Sequence, residues 1–113
     1  MAKVAIIGAG SLVFCKTLMN DFLATPALEG SEYSLMALTN TRLDKMHSFV
    51  QRMIDDNNIN ATVTKTTDRR EALRDADYVV VMIQVGGVDA FKVDYEVPLK
   101  YGVDKCIGDT LGP

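Results

Sequence analysis

Four residues near the amino terminus have the types and spacing that chemistry needs: Gly8, Gly10, Ser11 and Leu12. They follow the apolar run Val4-Ala5-Ile6-Ile7 and precede a second apolar pattern with helical spacing. A strand, a tight turn and a helix start produce that order. Such a turn points backbone N–H groups out of a helix N-terminus, where a phosphate can be held without a cationic side chain. Gly8 lets the chain turn sharply, and Gly10 lets a ligand approach the backbone closely. The third glycine of the usual fingerprint is absent, and Val13 stands in its place. A plain strand-to-helix connection gives the same two glycines, so the surrounding elements must decide between the readings.

The other reactive side chains are sparse. Cys15 and Cys106 are far apart and have neither metal-ligand nor Cys-x-x-Cys spacing, so both read as free thiols. Cys15 falls just inside the first helix, where a thiol pKa can drop, but a packing cysteine fits the pattern better. His47 is the single histidine, set beside Met46 and Phe49, and reads as a boundary residue. No ligand cluster accompanies it, so neither a metal site nor a catalytic residue is assigned within this chain. The 113 residues are 48% hydrophobic and 24% charged, enough for one modest domain. A formal net charge of −3 argues against nucleic acid or an anionic membrane as the partner. No apolar run approaches the roughly 20 residues of a membrane span, and none has the form of a signal peptide, so the chain reads as cytoplasmic.

The elements that must position the turn follow in regular alternation. Helical spacing from Leu12 continues to about Thr25, where Pro26 stops it. Tyr33 to Leu38 is a short strand, and Thr39-Asn40-Thr41 supplies side chains able to cap the helix that follows. Leu43, Met46, Phe49, Val50, Met53 and Ile54 form that helix's apolar stripe. Ala61 to Thr66 alternates like an edge strand with one wet side. Asp68 to Glu71 resembles a capping box opening a short helix. Tyr78 to Ile83 is continuously apolar, as in a strand covered on both faces. Gln84-Val85-Gly86-Gly87 reads as a flexible turn, Asp89 to Tyr101 as a helix kinked or interrupted at Pro98, and the tail from Val103 as the start of another strand. The fold class is α/β: one partial Rossmann-like domain over residues 1–113, doubly wound and mostly parallel, with strand order 3-2-1-4. The glycine turn then lies at the switch-point crevice, where such sheets bind dinucleotides.

One expected residue is missing. NAD-binding folds place Asp or Glu at the end of the second strand, where it pairs with the adenosine ribose. Here Leu35-Met36-Ala37-Leu38-Thr39-Asn40-Thr41-Arg42 contains no acid. Arg42, with the hydroxyls of Thr39 and Thr41, has the chemistry to bind a 2′-phosphate, which leaves NADP open beside NAD. Capping of the second helix accounts equally well for Thr39 to Arg42.

The whole chain resembles the N-terminal part of the NAD-dependent family four glycoside hydrolases, in their α-galactosidase and α-galacturonidase branch. The resemblance is carried by Ile6-Ile7-Gly8-Ala9-Gly10-Ser11 with Phe14, Asn20-Asp21, Pro26-Ala27-Leu28, Arg42-Leu43, Glu71-Ala72-Leu73 and Asp75-Ala76-Asp77. Gln84-Val85-Gly86-Gly87 and Gly108-Asp109-Thr110-Leu111-Gly112-Pro113 are the most distinctive blocks. The resemblance implies hydrolysis outside the two-carboxylate scheme. A bound NAD oxidises the sugar at C3, a base removes the C2 proton, the glycosidic oxygen is eliminated, water adds at C1 and the hydride returns. A divalent metal, usually manganese (Mn2+), polarises the substrate oxygens. It also implies that Gly8, Gly10, Ser11 and Leu12 face the pyrophosphate, that Thr39 to Arg42 face the ribose, and that Gln84, Gly86 and Gly87 line the nicotinamide side. Asp109 would approach the sugar. Relatives in this branch carry Asp where Ala37 and Thr39 stand.

The family's metal ligands and catalytic tyrosine fall beyond residue 113, so the chain reads as a truncation without glycosidase turnover of its own. Its fourth strand would then be a bare apolar edge, giving a homodimer or higher homo-oligomer. Two alternatives stay open: a self-associating Rossmann fragment without a cofactor, and the N-terminal half of an NADP-linked dehydrogenase.

Overall fold

The computed structural model describes residues 1–83 and 86–104. Two compact units divide the chain, Met1–Ile83 and Gln84–Pro113. The first contains strands β1 (Lys3–Ile7), β2 (Glu32–Met36), β3 (Thr62–Thr66) and β4 (Tyr78–Val81) with helices α1 (Leu12–Ala24), α2 (Asn40–Asp56) and α3 (Arg69–Leu73). The strands form one parallel sheet in the order β3-β2-β1-β4, as the alternation predicts.

Register explains where the core lies. Val4 pairs with Tyr33 and Ile6 with Leu35, while Tyr33 pairs with Val63. Residues in one row of a parallel sheet point to one face, so these five form a continuous apolar surface. Cys15 and Met19 of α1 and Leu43, Met46, Val50 and Ile54 of α2 pack on it. Phe22 stacks on the Tyr33 ring at 6.0 Å. The alternate positions Ala5, Ser34 and Met36 are also buried, and α3 packs against β1, β2 and β3 with Ala72 buried. Of the predicted stripe on α2, Phe49 and Met53 lie at its margin, half-buried.

Several boundaries differ from the sequence reading. β2 stops at Met36, two residues early, and Leu38 points into solvent. Pro26 opens a short 3-10 turn, Pro26–Leu28, after α1 has ended at Ala24. The box at α3 is joined through a third residue. Asp68 Oδ1 accepts from the Arg70 N–H at 2.9 Å, but Glu71 accepts from the Thr66 hydroxyl, whose oxygen takes the Asp68 N–H. β4 departs most. Tyr78, Val79 and Val81 are 61%, 49% and 59% exposed, against the expectation of a strand covered on both faces. Among the described residues β4 pairs only with β1, so nothing shields its outer side.

In the second unit, α4 (Gly87–Leu99) starts two residues before the predicted helix, with Gly86 at its N-cap at φ +84°. Pro98 sits in the last turn, where it leaves the preceding turns intact. Val103 and Asp104 form no strand, and Gln84, Cys106, Asp109 and the Gly108–Pro113 block lie outside the described residues. No helix among the described residues is long and apolar enough to cross a membrane.

Candidate functional site

β1 ends between β2 and β4, and the turn that leaves it is pinned on both sides. The Gly8 and Ala9 N–H groups both donate to the Met36 carbonyl at 2.9 Å. The Met82 N–H donates to the Ile7 carbonyl at 2.8 Å. The turn therefore sits at the carboxyl ends of three parallel strands, where the winding reverses.

The two glycines serve different ends. Gly8 has φ +96°, and a Cβ there would fall 2.1 Å from the Met82 carbonyl oxygen. Backbone conformation and packing both require glycine at that position. Gly10 is outside the positive-φ region, and a Cβ there would meet only ordinary contacts: Arg42 Cβ at 3.5 Å, Ala37 Cβ at 3.7 Å and Arg42 Cδ at 3.8 Å. The fold itself does not demand a glycine at 10. What the missing side chain leaves is a notch bounded by the end of β2 and the first turn of α2.

Four backbone donors are unpartnered at this turn and the helix start that follows it. The Ser11 N–H is used by the Gly8 carbonyl at 3.1 Å, and the Ser11 carbonyl accepts from Cys15 at 3.0 Å. The N–H groups of Gly10, Leu12, Val13 and Phe14 meet no acceptor among the described residues. Ser11 stands at the N-cap of α1 without a side-chain cap bond, and the first turn has no acid. The helix thus presents uncapped amides and the positive end of its dipole, the arrangement that holds a phosphate or pyrophosphate.

Thr39 occupies the N-cap of α2, yet its hydroxyl makes no capping bond, and α2 has no acid in its first turn. Capping therefore does not account for Thr39 in the structure. Arg42 is exposed and joins no salt bridge among the described residues. The nearest acid in sequence, Asp44, is held by Lys65 at 2.7 Å. Gly86 and Gly87 belong to the second unit, where they open α4.

The remaining reactive residues stand apart from this turn's chemistry. Cys15 is a buried free thiol whose pKa burial pushes up to about 11, so it packs instead of reacting. His47 is half-buried, with Nε2 3.4 Å from the Val63 carbonyl oxygen. No group of three His, Cys, Asp or Glu side chains converges among the described residues. A shallow groove of about 680 Å3 runs from Leu12 and Val13 along α1 to Asn20, closed on one side by Phe49. It starts at the first turn of α1 and follows the helix flank. Sequence reading did not single out the Met36 carbonyl or the Val13 amide. Both act through the backbone, and residue type carries no signal of that.

The chain is similar to known proteins along almost its full length. The profile described as family 4 glycosyl hydrolase matches residues 3–113. An α-galactosidase of Rhizobium meliloti is 45% identical over 109 residues, covering 96% of this chain and 22% of that protein. An α-galactosidase of Bacillus subtilis is 38% identical over 113 residues, covering 99% and 26%. The 6-phospho-β-glucosidase of Thermotoga maritima, solved with manganese, NAD+ and glucose 6-phosphate, superposes with a TM-score of 0.71 at 25% identity, over 90% of this chain and 24% of that one. The chain spans about a quarter of the length of these relatives. A parallel 3-2-1-4 sheet with its glycine turn at the switch point, matched along almost its full length by one family's profile, places the chain among the family 4 glycosyl hydrolases.

Proposed function

We propose that this chain is the nicotinamide dinucleotide-binding segment of a family 4 glycosidase whose complete form hydrolyses α-galactosides or α-galacturonides. One observation carries the dinucleotide reading. Gly10 lacks a side chain although neither its backbone angle nor its packing requires that, and it stands beside four unpartnered amides at the start of α1. A pyrophosphate bound there would accept from N–H groups among Gly10, Leu12, Val13 and Phe14, with the Ser11 hydroxyl as a further donor. The adenosine ribose would lie toward Ala37 and Arg42, which flank Gly10, and toward Thr39 at the N-cap of α2. The T. maritima relative's complex with NAD+ and the two α-galactosidase relatives support this reading. In the complete enzyme the dinucleotide supplies reversible hydride acceptance and a manganese ion polarises the sugar. This chain's own residues bind and orient the cofactor and do none of the proton transfer.

A second reading is favoured by the absence of any acid at Ala37 or Thr39. In it the chain is a Rossmann-like scaffold without a cofactor. Calorimetric titration with NAD+ and NADP+ separates the two. Saturable binding of either, lost in Gly10→Ala while the melting temperature is kept, supports the dinucleotide site. Heat-silent titrations at millimolar concentration of both refute it.

A further inference from the structure

We infer that α2 straps the outer edge of β3, with His47 as the residue that closes it, so that this edge does not accept a strand from a second copy of the chain.

Backbone direction identifies which groups β3 turns outward. The Thr62 N–H donates to the Ser31 carbonyl, just before β2, at 3.1 Å. Polar backbone groups alternate along a strand between its two sides. Thr62, Thr64 and Thr66 therefore face β2, while Ala61, Val63 and Lys65 face away from it. Among the described residues β3 pairs only with β2, so the second set forms an edge. Left open, such a row of donors and acceptors is a template for the strand of another chain.

Each of these three positions is tied elsewhere. The Ala61 N–H donates to the Ile59 carbonyl at 3.1 Å. His47 Nε2 lies 3.4 Å from the Val63 carbonyl oxygen, and with its proton on Nε2 the imidazole donates to it. The Lys65 ammonium donates to Asp44 Oδ1 at 2.7 Å. Asp44 and His47 are three residues apart on α2, hence on one flank of the helix, and that flank runs along β3. An added strand has to bring its own N–H to the Val63 oxygen at about 2.9 Å, so strand and imidazole compete for one place. It also has to run beside the charged Lys65, and an edge lysine opposes strand addition. His47 thus has work that neither metal binding nor proton transfer gives it. The sheet's other edge, β4, shows exposed valines instead.

The test follows solvent exchange of the Val63 and Lys65 amides by NMR in the 15N-labelled 113-residue chain, from tens of micromolar to millimolar. Neither N–H meets an acceptor among the described residues. In the parent both should exchange fast at every concentration, even where the chain associates through β4. His47→Ala should slow both as concentration rises, by about tenfold or more at the top of the range. Sedimentation velocity should then show an association that Val81→Lys on β4 does not remove. His47→Gln keeps a side-chain donor and should behave as the parent does. Lys65→Thr changes only an exposed side chain, and it should move the two amides in the same direction even where His47→Ala does not fold. Concentration-dependent protection at Val63 and Lys65 in the parent would overturn the inference. So would His47→Gln matching His47→Ala, or exchange as fast as the parent's in every folded variant.

Discussion

Gly8 and Gly10 are the same residue type two positions apart, and the structure requires glycine at only the first. Gly8 answers to the fold, since a side chain would strike the Met82 carbonyl. Gly8→Ala should therefore cost more than about 2 kcal/mol of stability, read by urea unfolding. On the proposed reading Gly10 is there for a ligand, so Gly10→Ala should stay within about 1 kcal/mol of the parent in the same measurement. Its loss should appear instead as at least a roughly tenfold fall in dinucleotide affinity. Cys15 yields a pH dependence. Burial holds its pKa at about 11, and burial also raises that of Tyr33. Both groups stay neutral in the fold, while the unfolded chain ionises first as pH rises. Stability should be fully present below about pH 9 and decline toward pH 11, by about 1–2 kcal/mol for Cys15. Urea midpoints at pH 8 and pH 10.5 check this, and Cys15→Ala should flatten the decline.

At the scale of elements, alternating strand and helix patterns revealed the strand order from the sequence, because each short apolar run is bounded by Gly, Pro, Asn or Asp. The end of β2 was less legible. Ala37 and Leu38 continue the apolar run, but the Met36 carbonyl is already turned to Gly8 and Ala9, which ends the ladder and sends Leu38 outward. The capping box at α3 was visible as a pattern, although its route through the Thr66 hydroxyl was not. β4 read as doubly covered because its composition is that of an inner strand. Among the described residues it is an edge, with exposed valines at 79 and 81. A flat apolar edge invites pairing with another copy. The chain alone is expected to self-associate in sedimentation velocity at tens of micromolar or above, and Val81→Lys should shift it toward monomer. A parent chain that sediments as a monodisperse monomer at high concentration would refute that expectation.

For the molecule as a whole, the site divides into a part that sequence could show and a part that it could not. The glycine turn and the acid-free second strand were both legible, since one is a motif and the other an absence at a fixed spacing. That Arg42 and Ala37 flank the bare face of Gly10 needed coordinates, because they lie 32 and 27 positions further along the chain. The family is fixed by the match over residues 3–113, while the chain covers about a quarter of its relatives. On the proposed reading, this chain incubated with NAD+, Mn2+ and a nitrophenyl α-galactoside should release no nitrophenol above the uncatalysed rate. The central claim is that the β1–α1 turn holds a dinucleotide. It is tested most directly by titrating 15N-labelled chain with NADP+ and with NAD+ while following backbone amide shifts. Saturable shifts centred on Gly10, Leu12 and Val13 and extending to Ala37 and Arg42 are expected. Unmoved amides at that turn under saturating cofactor, or shifts confined to other elements, would contradict it.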